Sequence, residues 1–137
     1  METMTIATRE REQMIDITAQ AQELVRARGW RDGLLTLFCP HTTGAVTINE
    51  NADPSVVRDM LAALRRFVPR EGDYRHAEGN SDAHVKSSLF GPSLTVIVEE
   101  GRLALGTWQG VYFCEFDGPR SRKLWVKWLG ETGQARS

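Results

Sequence analysis

Apolar and polar positions alternate over Thr3–Thr8, with Met4, Ile6 and Thr8 set against Thr5 and Ala7, and this period of two predicts a strand. Gln13–Ile17 predicts a second, shorter one. The period then lengthens. Ile17, Ala21, Leu24 and Val25 recur at helical spacing and Gly29 closes the run, which predicts a helix of about three turns. Gly33–Cys39 is apolar at nearly every position and predicts a strand buried on both faces, by its own fold or by another copy of the chain. Pro40 stops it, and Ala45–Asn49 follows as a further strand. The two look like a hairpin whose corner carries His41.

Asp53-Pro54 is a strong helix start, an aspartate cap followed by proline at the first helical position. Val57, Met60, Leu61 and Leu64 make an apolar stripe that runs to Val68-Pro69. Asn80 or Asp82 caps a third helix, which reaches Phe90 and stops at Gly91-Pro92. Strands follow over Ser93–Val98, Val111–Phe116 and Lys123–Leu129, with a short addition at Arg102–Leu105, and the tail beyond Gly130 is expected to fray. In the last long strand Trp125 and Trp128 fall on opposite faces, one for the core and one for another subunit. The order β-β-α-β-β-α-α-β-β-β favours an α+β fold over a doubly wound parallel sheet.

With 137 residues the chain is expected to form a single domain spanning 1–137. A net charge of −1 supplies no basic field for a nucleic-acid backbone. No apolar run approaches the ~20 residues of a membrane helix. The first residues lack the apolar centre of a signal peptide, so a cytoplasmic protein is expected. Cys39 and Cys114 read as buried free thiols.

Candidate chemistry concentrates between Tyr74 and Gly91, where His76, Glu78, Asn80, Asp82, His84 and Lys86 crowd a stretch with few large apolar residues. Gly79 permits a bend that brings His76 back towards His84. With His41, all three histidines sit in polar corners. Three neutral imidazoles suffice for a catalytic zinc with one open position. Glu78, Asp82 or Asn80 would orient a ring. Spacing alone is a weak signal, since no standard metal motif is present and each histidine taken singly reads as ordinary.

Thr42, Thr43, Asn49 and Asn51 are candidates for phosphate contact, although turn and capping roles explain them equally. Trp108 and Gln109 lie between glycines and would wall a pocket. Glu115 occupies an interior strand position and must be paired, exposed or functional, with Arg120 and Arg122 near in sequence.

The stretches His41–Pro54 (HTTGAVTINENADP), His76–Ser93 (HAEGNSDAHVKSSLFGPS) and Gly101–Lys123 (GRLALGTWQGVYFCEFDGPRSRK) together resemble the YjbQ family, also labelled secondary thiamine-phosphate synthase. The resemblance covers nearly the whole chain. It implies a β-sandwich of about seven strands in two sheets with three helices, assembled as a homotrimer. Gly44, where the family usually has alanine, is a mild departure. The label implies joining a pyrimidine diphosphate to a thiazole phosphate with loss of pyrophosphate.

Magnesium would suit such a diphosphate, whereas His41, His76 and His84 suit zinc or another transition metal better. The expectation is therefore metal-assisted chemistry on a phosphorylated small molecule, with simple phosphoester hydrolysis as its generic form. Glu78, Glu115 and Asp82 are the catalytic candidates. Thr42, Thr43, Asn49, Asn51, Asn80, Trp108 and Gln109 would hold substrate. The alternative is a trimer that binds a metal or metabolite without turning it over.

Overall fold

The computed structural model describes residues 1–132. In chain order the elements are β1 (Glu2–Ala7), β2 (Gln13–Asp16), α1 (Thr18–Arg28), β3 (Gly33–Phe38), β4 (Gly44–Glu50), α2 (Pro54–Phe67), α3 (Ser81–Phe90), β5 (Ser93–Glu99), β6 (Arg102–Leu103), β7 (Gln109–Glu115) and β8 (Ser121–Gly130). The expected α+β order holds, with Arg102–Leu103 as the short extra strand. The frayed tail expected past Gly130 falls mostly in residues 133–137, outside the described residues.

Two antiparallel sheets form, one of five strands in the order β1-β8-β3-β5-β6 and one of three in the order β2-β7-β4. They pack face to face. Leu35, Leu37, Val96, Val98, Leu124 and Val126 of the large sheet meet Val46, Val111 and Phe113 of the small one, and Ile17, Ala21 and Val25 bring α1 to the same core. The small sheet's other face carries Ala45, Tyr112 and Cys114, which pack with Leu61 of α2 and Ala83 of α3. The small sheet is thus a middle layer, and all of β7 after Gln109 is buried. Both cysteines are free and buried.

One strand expectation is corrected and another is narrowed. First, β3 and β4 do not form a hairpin: β3 pairs with β5 and β8, while β4 pairs with β7 in the other sheet. Pro40 cannot donate to a ladder, and there the chain leaves one layer for the next. Second, β3 is not buried on both faces within the chain. Leu35, Leu37 and Cys39 point inward, whereas Leu34 and Phe38 are 40% and 38% exposed on the outer face of the large sheet. The last strand does split its tryptophans: Trp125 stacks on Phe38 outside at 5.9 Å, and Trp128 stacks on Trp30 at 5.2 Å.

The helix ends follow local chemistry. Asp53 caps α2 by accepting from the Ser55 amide at 2.9 Å, and Gly29 ends α1 with a φ of 66°. Asn80 stands at the cap position of α3 but makes no capping bond. The buried side of α3 is unusual, consisting of Asp82, Ala83, Lys86 and Ser87, while Val85 and Leu89 lie exposed.

Candidate functional site

The bend at Gly79, with a φ of 76°, returns the loop before α3 onto the first turn of that helix. The His76 and His84 rings meet edge to face, centroids 5.3 Å apart. Glu78 Oε1 lies 3.9 Å from His76 Nε2. These three side chains, together with Asn80, Thr42, Thr43, Asp117 and Arg120, line a polar cavity of about 250 Å³. Larger recesses exist, including one of about 520 Å³ beside Trp30 and Gly101, but it holds none of the histidines.

The cavity floor is tied together by one carboxylate. Asp117 Oδ2 accepts from Asn80 Nδ2 at 2.8 Å and from Arg120 Nη2 at 3.1 Å. Arg120 also donates through Nε and Nη2 to the Asp117 carbonyl oxygen, at 3.0 and 2.8 Å. Asn80 is 8% exposed, and its Oδ1 has no partner among the described residues. Thr43 is committed to structure: its Oγ1 accepts from Arg122 at 2.8 Å and its carbonyl accepts from the Phe116 amide at 3.1 Å. Thr42 is exposed at the rim.

The third histidine stands apart. His41 Nε2 accepts from the Lys123 amide at 2.9 Å, and the ring does not line the cavity. Burial, with Arg122 adding to it, pushes the His41 imidazole below its ordinary pKa, so it stays neutral. Among the described residues no three His, Cys, Asp or Glu side chains converge as a metal would need. A metal held here by His76 and His84 would take its remaining ligands from substrate or water.

Two of the expected catalytic carboxylates are saturated elsewhere. Glu115, fully buried, accepts from Arg122 Nε at 2.8 Å, Arg122 Nη2, Thr8 Oγ1 at 2.7 Å and the Asp117 amide at 3.0 Å. Burial alone would raise its pKa, but Arg122 and these other donors outweigh it and hold the carboxyl low. Asp82 is gripped by Arg11 at 3.0 and 3.2 Å and by Lys86 at 3.0 Å. Lys86 continues to Glu12 at 2.5 Å, and Glu12 to Arg65 at 2.7 Å. For Asp82 and Glu12 too, the upward push of burial is outweighed by their cationic partners, and both sit below the usual carboxylate range. Glu78 remains the one expected catalytic carboxylate on the cavity wall.

Asn49, Asn51, Trp108 and Gln109 are also kept from it by strand register. Gly44 pairs with Glu115 at the cavity end of β4 and β7, and Glu50 pairs with Gln109 at the other end, about 20 Å away at ~3.4 Å per residue. There Asn49 accepts from the Glu50 amide at 2.7 Å, Asn51 donates to Asp16 at 3.2 Å, and Gln109 accepts from the Gly106 amide at 2.8 Å. Trp108 is 63% exposed.

Arg120 is the cavity residue that sequence reasoning assigned elsewhere. Arg120 and Arg122 both read as partners for Glu115; Arg122 takes that role and Arg120 turns to Asp117.

The sequence profile of the family described as UPF0047 protein YjbQ-like matches residues 2–131. The UPF0047 protein YugU of Bacillus subtilis is 51% identical over 131 residues, covering 95% of this chain and 99% of that one. The UPF0047 protein MJ1081 of Methanocaldococcus jannaschii is 48% identical over 126 residues, covering 92% and 91%. Among solved structures, a YjbQ/UPF0047-family protein from Clostridium acetobutylicum superposes with a TM-score of 0.92 at 52% identity, over 94% of this chain and 100% of that one. The chain belongs to the YjbQ-like UPF0047 family.

Proposed function

We propose that this protein is a metal-assisted enzyme acting on a phosphorylated small molecule at the cavity between His76, His84 and Arg120. The observation that carries the reading is the convergence, in one polar cavity, of two imidazoles, a guanidinium, two carboxylates and a buried amide with a free acceptor. Such groups divide naturally by task. His76 and His84 would hold zinc or a similar ion, which supplies charge stabilisation at a phosphoryl oxygen. Arg120 and the Thr42 hydroxyl would contact the phosphate. Glu78, exposed and 3.9 Å from His76, would take a proton from an attacking hydroxyl or water.

The transfer that joins a pyrimidine diphosphate to a thiazole phosphate is the specific form of this chemistry. A cavity of about 250 Å³ encloses a phosphoryl group and its immediate neighbours, and the two heterocycles would extend outside it. The geometry therefore supports the generic reaction, phosphoester hydrolysis, better than the named one. The homotrimer belongs to the same reading: Leu34, Phe38, Ile97, Trp125 and Leu129 lie exposed on the large sheet and suit a contact between copies.

The test is turnover of a panel of phosphate monoesters and diphosphates by metal-free and zinc-loaded protein, beside a His76→Ala, His84→Ala variant. Zinc-dependent release of phosphate or pyrophosphate, lost in the variant, is expected. Equal inactivity of both forms on every substrate sinks the enzymatic reading. Metal or ligand uptake without product would then leave a binding protein.

A further inference from the structure

Asn80 holds an unusual position in the cavity. Its Nδ2 donates to Asp117 Oδ2, and that bond fixes the amide, since a flip would set Oδ1 against a carboxylate oxygen. Oδ1 is therefore the acceptor, and it is buried without a donor among the described residues. A buried carbonyl oxygen left unpaired forfeits the hydrogen bond it would make to water in the unfolded chain. The helix it caps does not use it. Asn80 helps to form the cavity wall, which sets its side chain beside any group that enters.

The neighbours narrow the choice. Glu78 and Asp117 also line the cavity and are acceptors when ionised, and among the described residues Arg120 is the one Arg or Lys side chain on its wall. A fully ionised oxyanion such as sulfate brings only acceptors, and would meet Arg120 favourably but Asn80 Oδ1 and the two carboxylates unfavourably. Hydrogenphosphate, or a phosphoryl group that keeps a proton, offers charge to Arg120 and an O–H to Asn80 together.

We infer that Asn80 is the specificity-determining residue of this cavity, accepting a hydrogen bond from a protonated phosphoryl oxygen and thereby selecting phosphate over sulfate. The inference rests on the reading of the cavity as a phosphate site and adds which phosphate species it takes. A site that hydrogen-bonds a particular O–H rejects an isostere lacking it, because its own buried polar group is then stranded.

The experiment titrates the whole, metal-free chain with sodium phosphate and, separately, sodium sulfate at pH 7. Binding is read by calorimetry and from the His76 and His84 ring resonances. Phosphate is expected to bind at least about tenfold more tightly than sulfate. Asn80→Ala should bring the two affinities together, with circular dichroism confirming the fold. Asn80→Ser serves if the alanine variant does not fold: serine is a good helix cap, and its hydroxyl both donates and accepts, so it should treat the anions alike. Equal affinities in the wild type overturn the inference but leave the phosphate site standing. A preference that survives in the variants also overturns it, moving the selection to Glu78 or Asp117. If neither anion binds, the inference falls together with the phosphate reading of the cavity.

Discussion

Lys86 Nζ donates to Glu12 Oε2 at 2.5 Å, joining the middle of α3 to the residue just before β2 across 74 positions of sequence. With Lys86 only 1% exposed, this bond and the one to Asp82 carry a charge wholly out of solvent. Removing one member of a buried ion network strands the others. Lys86→Met is expected to destabilise the chain by about 3 kcal/mol, read as a lower midpoint in urea unfolding.

The same carboxylates set the acid limit of stability. Glu12, Asp82 and Glu115 all have pKa values held down in the folded state, so each contributes stability above its unfolded pKa and loses it as pH falls through the folded one. Unfolding free energy from these groups should be level between about pH 7 and 5 and fall below about pH 4. Glu115→Gln should be less stable at neutral pH and show a shallower acid loss. An acid slope unchanged in the variant would remove Glu115 as a contributor.

The histidines should separate in mutagenesis. His76 is exposed and His84 half-buried, so alanine at either should abolish zinc uptake with little change in unfolding midpoint. His41→Ala should do the reverse, costing about 1 kcal/mol as the Lys123 amide loses its acceptor, with zinc uptake retained. Elemental analysis and thermal unfolding on the same preparations check both halves.

The outer face of the large sheet gives a prediction about assembly. Phe38 and Trp125 stack on each other in the open, and a charge placed there should repel another copy. Trp125→Glu is expected to lower the mass measured by sedimentation while leaving the monomer folded. An unchanged mass would show that this face is not where copies meet.

Helix boundaries were legible because their causes are local: Asp53-Pro54 and Gly29 act within a turn of themselves. Sheet membership was not. Nothing in Gly33–Cys39 or Ala45–Asn49 says that Pro40 lies between two layers, since that is decided by β5, β7 and β8 much later in the chain. The nearness of His76 to His84 was readable from Gly79, again a local cause. The exclusion of His41 was not, because its partner is the backbone of Lys123, 82 residues on. Arg120 and Arg122 share strand parity, so alternation cannot tell which meets Glu115, and only the position of Arg120 in the turn before β8 separates them. The ties from Asp82 to Arg11 and from Lys86 to Glu12 span 71 and 74 residues and leave no local trace.

The charged inner side of α3 has a consequence for how the cavity is kept in shape. A helix seated by an apolar stripe can roll by some degrees with little change in energy, because burial has no direction. This helix is seated by Asp82, Lys86 and Ser87, each bonded along a fixed line, the last to the Gly44 carbonyl at 2.6 Å. Its apolar residues Val85 and Leu89 face the other way and would favour rolling inward. The ion pairs thus act as a rotational stop. They hold Asn80 and His84 at the cavity against the pull of the helix's own hydrophobic side, and a chain with these charges neutralised would keep the helix but lose its aim.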